Sequence, residues 1–157
     1  MSTIAEAFAL LVVVATLGCG NSPAVSPAAT GTASAAPNTS ITTSLGIYSG
    51  RPDPSWDLTN AQVTQVLNTI EALPVTTGTP PQGGLGYHGF TIVRRSPGQA
   101  DETLVAYRGT VAPLGTGTRT YRVDQGRTVE RLLLDFGRST LDPTEVAAVE
   151  GDFAAAP

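Results

Sequence analysis

Charge is almost absent from the first third of this chain. Within residues 1 to 50 the only charged side chain is Glu6, whereas soluble domains interleave charged and apolar residues along their whole length. A packed domain therefore has to come from the residues that follow. At 157 residues, 41% of them hydrophobic, the chain can supply about one domain with a modest core. Nine arginines, no lysine and thirteen acids give a net charge of -4. Such a balance offers no clustered basic footprint, and nucleic acid is excluded as a partner. One cysteine, Cys19, means that no intramolecular disulfide can staple the domain.

The charge-poor segment opens with Ala7 to Ala15, a continuously apolar run ending in small residues and Cys19. A bilayer-spanning helix needs roughly 20 apolar residues, while a secretory signal core needs only about 7 to 15. The run has the length of a signal core. Leu17-Gly18-Cys19 resembles the lipobox of bacterial lipoproteins, with a small glycine before the cysteine and an aliphatic residue before that. Thr16 stands where a leucine is usual, and the first six residues carry Glu6 and no base. The resemblance implies cleavage after Gly18, lipidation of Cys19 with diacylglycerol and palmitate, and a cell-envelope protein held at a membrane and facing away from the cytoplasm. Secretion through an ordinary signal is the alternative.

Residues 21 to 44 are dominated by Ser, Thr, Ala and Pro and hold no charged or aromatic side chain. Too little apolar surface is present to offset the entropy of ordering, so the composition predicts a disordered tether. The expected layout is a signal peptide over 1–18, a tether over 19–44, a folded domain over 45–151 and a tail over 152–157.

In the domain, Leu45 to Tyr48 reads as a short strand and Arg51 to Trp56 as a stiff proline-rich loop. Thr59 and Gln62 have capping-box spacing, flanked by a Leu58/Val63 staple, and Val63, Val66, Leu67, Ile70 and Leu73 follow at helical spacing. Pro74 ends that helix. The stretch from Val75 to Gly86 is rich in Gly, Pro and Thr and predicts a long mobile loop. Tyr87 to Arg94 alternates as a strand, and Ser96-Pro97-Gly98-Gln99 predicts a turn into an antiparallel return over Thr103 to Arg108. Another Gly/Thr/Pro loop leads to a strand around Thr120 to Val123. Val129, Leu132, Leu133 and Phe136 then form a helix face with Gly137 expected just past its end. Asp142, Pro143 and Glu145 signal a last helix to about Glu150, stapled by Leu141 and Val146. Together these elements predict an α+β domain, a small, mostly antiparallel sheet of about four strands with two to three helices on one face.

Tyr48-Ser49-Gly50-Arg51-Pro52-Asp53-Pro54-Ser55-Trp56 resembles the S-G-R-P-N-P-x-W opening of a family of uncharacterised domains, and Gly86-Tyr87-His88-Gly89-Phe90 is similar to a later G-Y-x-G-F element of that group. Asp53 stands where the family has Asn. The resemblance covers roughly residues 45 to 125 and implies a shared fold, with no reaction attached.

Catalytic signatures are sparse. His88 is the only histidine, so any histidine-dependent hydrolysis must use it, and no Gly-x-Ser-x-Gly elbow presents a nucleophile. A zinc site would need Cys19, which is assigned to the membrane. Asp53, Asp57, Asp101 and Glu102 lack the spacing of a calcium loop. Gly115-Thr116-Gly117-Thr118 is a turn, since no P-loop lysine exists. No catalytic residue, metal or other cofactor is therefore expected. The candidate binding residues are Arg51, Asp53 and Trp56, in a loop whose prolines lower the ordering cost of binding. A structural role competes with that one, in which Trp56 packs on the Val63/Val66 face and Arg51 pairs with Asp53 or Asp57. The expected function is a lipid-anchored, non-enzymatic binding domain for a protein or envelope polymer. A small envelope hydrolase or enzyme inhibitor using the proline-rich loop and His88 is the alternative.

Overall fold

The computed structural model describes residues 38 to 155, so Cys19, the signal segment, residues 19 to 37 of the expected tether and residues 156 to 157 lie outside the described residues. The first regular element is β1, Ser40–Gly46. It starts inside the segment expected to be tether. Ile41, Thr43 and Leu45 are buried on one face, and the threonines between suit a pleated strand as well as a linker. Strand β2, Ser55–Asp57, pairs with β1, and helix α1, Asn60–Glu71, follows.

Both halves of the capping box at the start of α1 are present: the Thr59 hydroxyl accepts from the Gln62 amide, and the Gln62 side chain accepts from the Thr59 amide at 2.9 Å. Val63, Val66 and Ile70 are its buried face. The helix stops short of Pro74, and the Arg122 guanidinium donates to the carbonyls of Glu71 and Leu73, supplying partners to its last turn.

The remaining elements are β3, Val75–Gly78; β4, Gly89–Arg95; β5, Glu102–Tyr107; β6, Thr110–Pro113; β7, Arg119–Val123; α2, Thr128–Gly137; and α3, Pro143–Ala155. The domain is α+β. Its sheet has seven strands in the order β2-β1-β4-β5-β6-β7-β3, every neighbouring pair antiparallel. About four were expected. The additional strands, β2, β3 and β6, have three or four residues each and lie where Pro, Gly and Thr predicted loops. Strands β4 and β5 form the expected antiparallel hairpin, with Phe90 opposite Ala106 and Ile92 opposite Leu104.

Residues Arg108 and Gly109 make the two-residue turn into β6, with φ of 43° and 73°. Positive φ at both positions is the requirement of a type I′ hairpin. A glycine at the second position meets it without strain.

One core joins sheet and helices. Ile41, Leu45, Phe90, Ile92, Ala106 and Val111 come from the sheet, and Val63, Val66, Val129, Leu133, Leu134 and Val149 from the helices. Each fully buried large side chain of this kind contributes roughly 1.5–3 kcal/mol. Gly137 is the last residue of α2 rather than the residue beyond it, and its reason is packing. A Cβ there would lie 2.5 Å from the Trp56 indole. Helix α3 extends through the expected tail to Ala155, placing Phe153 against the core.

Candidate functional site

The proline-rich loop holds Arg51, Asp53 and Trp56 near one another but gives two of them internal work. The Asp53 carboxylate accepts from the backbone amides of Ile47 and Tyr48 at 3.1 and 3.0 Å, fixing the exit from β1. Trp56 sits in β2, edge-on to Phe90 with ring centroids 6.2 Å apart and against Gly137. Its indole Nε1 is buried without a partner. Arg51 stacks 3.3 Å over the Tyr48 ring and lies 4.0 Å from Glu145, rather than pairing with Asp53 or Asp57. The Tyr48 hydroxyl donates to Glu145 at 2.5 Å, and that bond holds its proton on to higher pH than usual. Asp57 accepts from Thr42. Of the three candidates, Arg51 alone keeps a largely exposed side chain, 60% accessible.

A second polar cluster, invisible in the sequence, is buried beside the start of α2. Glu130, 1% exposed, takes two bonds from Arg127, one from the Tyr87 hydroxyl at 2.5 Å and one from the Gly109 amide at 3.0 Å. Burial, then the Glu130 charge, pushes the Tyr87 phenol far above its ordinary pKa. Asp152 of α3 pairs with Arg127 and Arg108; burial opposes its ionisation, but bonds from those arginines hold its carboxyl below the usual range. A cavity of about 720 Å³ lies outside this cluster, lined by Arg108, Arg127 and Tyr121, yet both arginines are neutralised by Glu130 and Asp152. The cluster ties Tyr87, the β5–β6 turn, α2 and α3 together. Its bonds are all internal.

An open cleft lies across the sheet from the core. Thr91, Val105 and Ala112 stand in one row across β4, β5 and β6, with Tyr107 and Thr110 paired in the next row on the same face. The Pro80–Gly84 segment, between β3 and β4, borders this face and encloses a cleft of about 280 Å³. Small and β-branched side chains make the floor, so backbone and loop come close without filling the space. His88 stands at one end. Its Nδ1 lies 2.7 Å from the Gly86 carbonyl, which makes Nδ1 the donor and leaves Nε2 as acceptor in the neutral ring. The ring fits against Gly46, where a Cβ would lie 2.6 Å from it. Arg119 stands at another part of the lining, its Nε and Nη1 donating to the carbonyls of Gly117 and Pro113.

No protein-family model matches the chain, and neither the curated proteins nor the solved structures hold a significant match to it.

The cleft lining contains no Asp or Glu, and His88 makes its one hydrogen bond to a carbonyl. Among the described residues no group of three His, Cys, Asp or Glu side chains is placed to hold a metal, and no helix is long and apolar enough to cross a membrane. The sequence placed His88 within a strand, whereas β4 begins one residue later at Gly89, and it missed the cleft, because the floor is made of Thr, Val and Ala that carry no chemical signature. The GTPPQGG run was the available signal, since long Gly/Pro loops in small domains often border sites.

Proposed function

We propose that this chain is a bacterial lipoprotein, anchored in the cell envelope through Cys19, whose domain is a non-enzymatic binding module for a protein or envelope polymer. The lipobox-like Leu17-Gly18-Cys19 and the charge-free stretch after it support the anchor. The likeness to the S-G-R-P-N-P-x-W family belongs to the same proposal and adds no reaction. We place the binding site in the cleft between the Pro80–Gly84 segment and the sheet, ahead of the Arg51–Trp56 loop.

One observation carries the choice. The cleft is open and its lining includes a guanidinium nitrogen, Arg119 Nη2, that has no partner within the fold, whereas the Asp53 carboxylate and the Trp56 ring are engaged within it. Hydrolysis finds less support. Triad-type hydrolysis through His88 needs a hydroxyl nucleophile to activate and a group to orient the imidazole. Here a backbone carbonyl orients it, and the Thr110 hydroxyl donates to the Tyr107 carbonyl at 2.8 Å.

Two measurements test this reading. Palmitate labelling should mark the wild-type protein and spare Cys19→Ala; an unlabelled wild type would remove the anchor. Hydrolysis of envelope polymers should be undetectable in both wild type and His88→Ala. A wild-type activity that disappears in a folded His88→Ala protein would replace the binding module with an enzyme.

A further inference from the structure

Resting on the assignment of the cleft as the binding site, we infer that the unit it takes is a carboxylate carried by a short apolar segment, with Arg119 as its anchor. Thirteen acids are spread over this chain against nine bases, yet none of the acids lines the cleft. The local balance is the reverse of the global one, one guanidinium with no counter-charge in the lining. An anion entering here meets attraction and no repulsion, and the low-dielectric walls of a cleft strengthen that attraction.

Arg119 is also incompletely satisfied. The guanidinium donates through Nε at 3.3 Å and Nη1 at 3.0 Å, both to carbonyls of the loop it follows, while Nη2 is shielded from water and has no partner. Among the described residues it forms no ion pair, unlike Arg108, Arg127 or Arg138. A buried donor without an acceptor is destabilising until a ligand supplies one. A carboxylate is the acceptor that matches a guanidinium edge in charge and geometry. The loop in front of it presents no side chain at Gly115 or Gly117, which sit at φ of 144° and 82°.

The remaining lining sets the rest of the ligand. Pro80, Val105, Tyr107, Ala112 and Pro113 offer an apolar bed, and Thr91 and Thr110 supply hydroxyls beside it. At about 280 Å³ the space lies at the lower end of ligand pockets, so it suits a short segment.

Amide chemical-shift titration of the full chain tests the inference with hexanoate, its neutral match hexanamide, and N-acetyl-alanyl-leucine as the free acid. We expect saturable shifts at Gly83, Thr110 and Gly115 with both acids, at least tenfold weaker binding of hexanamide, and weakening of the acids as salt is raised. Arg119→Gln should weaken the acids at least tenfold and Arg119→Lys by less, since it keeps the charge and loses the fork; Arg131→Gln, outside the cleft, should change nothing. The tighter acid names the source, a free acid or a peptide end, and either supports the inference. Equal binding of hexanoate and hexanamide would overturn the anion assignment while leaving the cleft as a binding site. Shifts from no probe at any cleft residue, in wild-type protein that is folded, would overturn both.

Discussion

At the scale of single residues, the strongest constraints are polar groups in dry places. Glu130 accepts four hydrogen bonds at 1% exposure, so removing it strands the Tyr87 hydroxyl and the Gly109 amide and leaves the buried Arg127 guanidinium with Asp152 alone. Breaking a buried pair from one side costs about 3–5 kcal/mol. Glu130→Ala should therefore lower the unfolding free energy in urea by about that much, and a loss under 1 kcal/mol would show that the cluster is wet and weak. Tyr87 adds a pH signature. Its folded-state pKa is raised above the unfolded value of about 10, so its contribution is fully present below pH 10 and is lost as pH rises beyond it. The melting temperature of the wild type should fall above pH 10, and Tyr87→Phe, although less stable at neutral pH, should show a shallower alkaline decline.

At the scale of elements, local sequence logic and observed structure agree best where a side chain and its own backbone settle the matter. The Thr59 cap is such a case, and Thr59→Ala should cost about 1 kcal/mol in thermal or urea unfolding with the fold unchanged. The β4–β5 hairpin was equally legible, because alternation and the SPGQ turn fix its register locally. What escaped the sequence was decided by distant partners. Strand β3 exists because Val75–Gly78 finds β7, more than forty residues later, and β2 because Ser55–Asp57 finds β1. Short edge strands carry too few residues for periodicity to show. Ser40 to Ser44 reads as linker by composition, and only the alternation of Ile41, Thr43 and Leu45 hints at its place in the sheet. Gly137 misled for a related reason: the indole pressed against it comes from another part of the chain. The cleft escaped likewise, since its floor, border and one unpaired arginine come from five separate segments.

At the scale of the whole molecule, the domain places its helices and core against one face of the sheet and leaves the other beside the Pro80–Gly84 segment and Arg119. The central claim is that the open face, and not the tryptophan-bearing loop, meets the partner. Amide hydrogen exchange of the full-length protein, with and without isolated envelopes, reads the two surfaces separately. Engagement of the cleft predicts slowed exchange over residues 82 to 88 and 110 to 119, with residues 48 to 56 unchanged. Slowing confined to residues 48 to 56, or none anywhere in the domain, would contradict it.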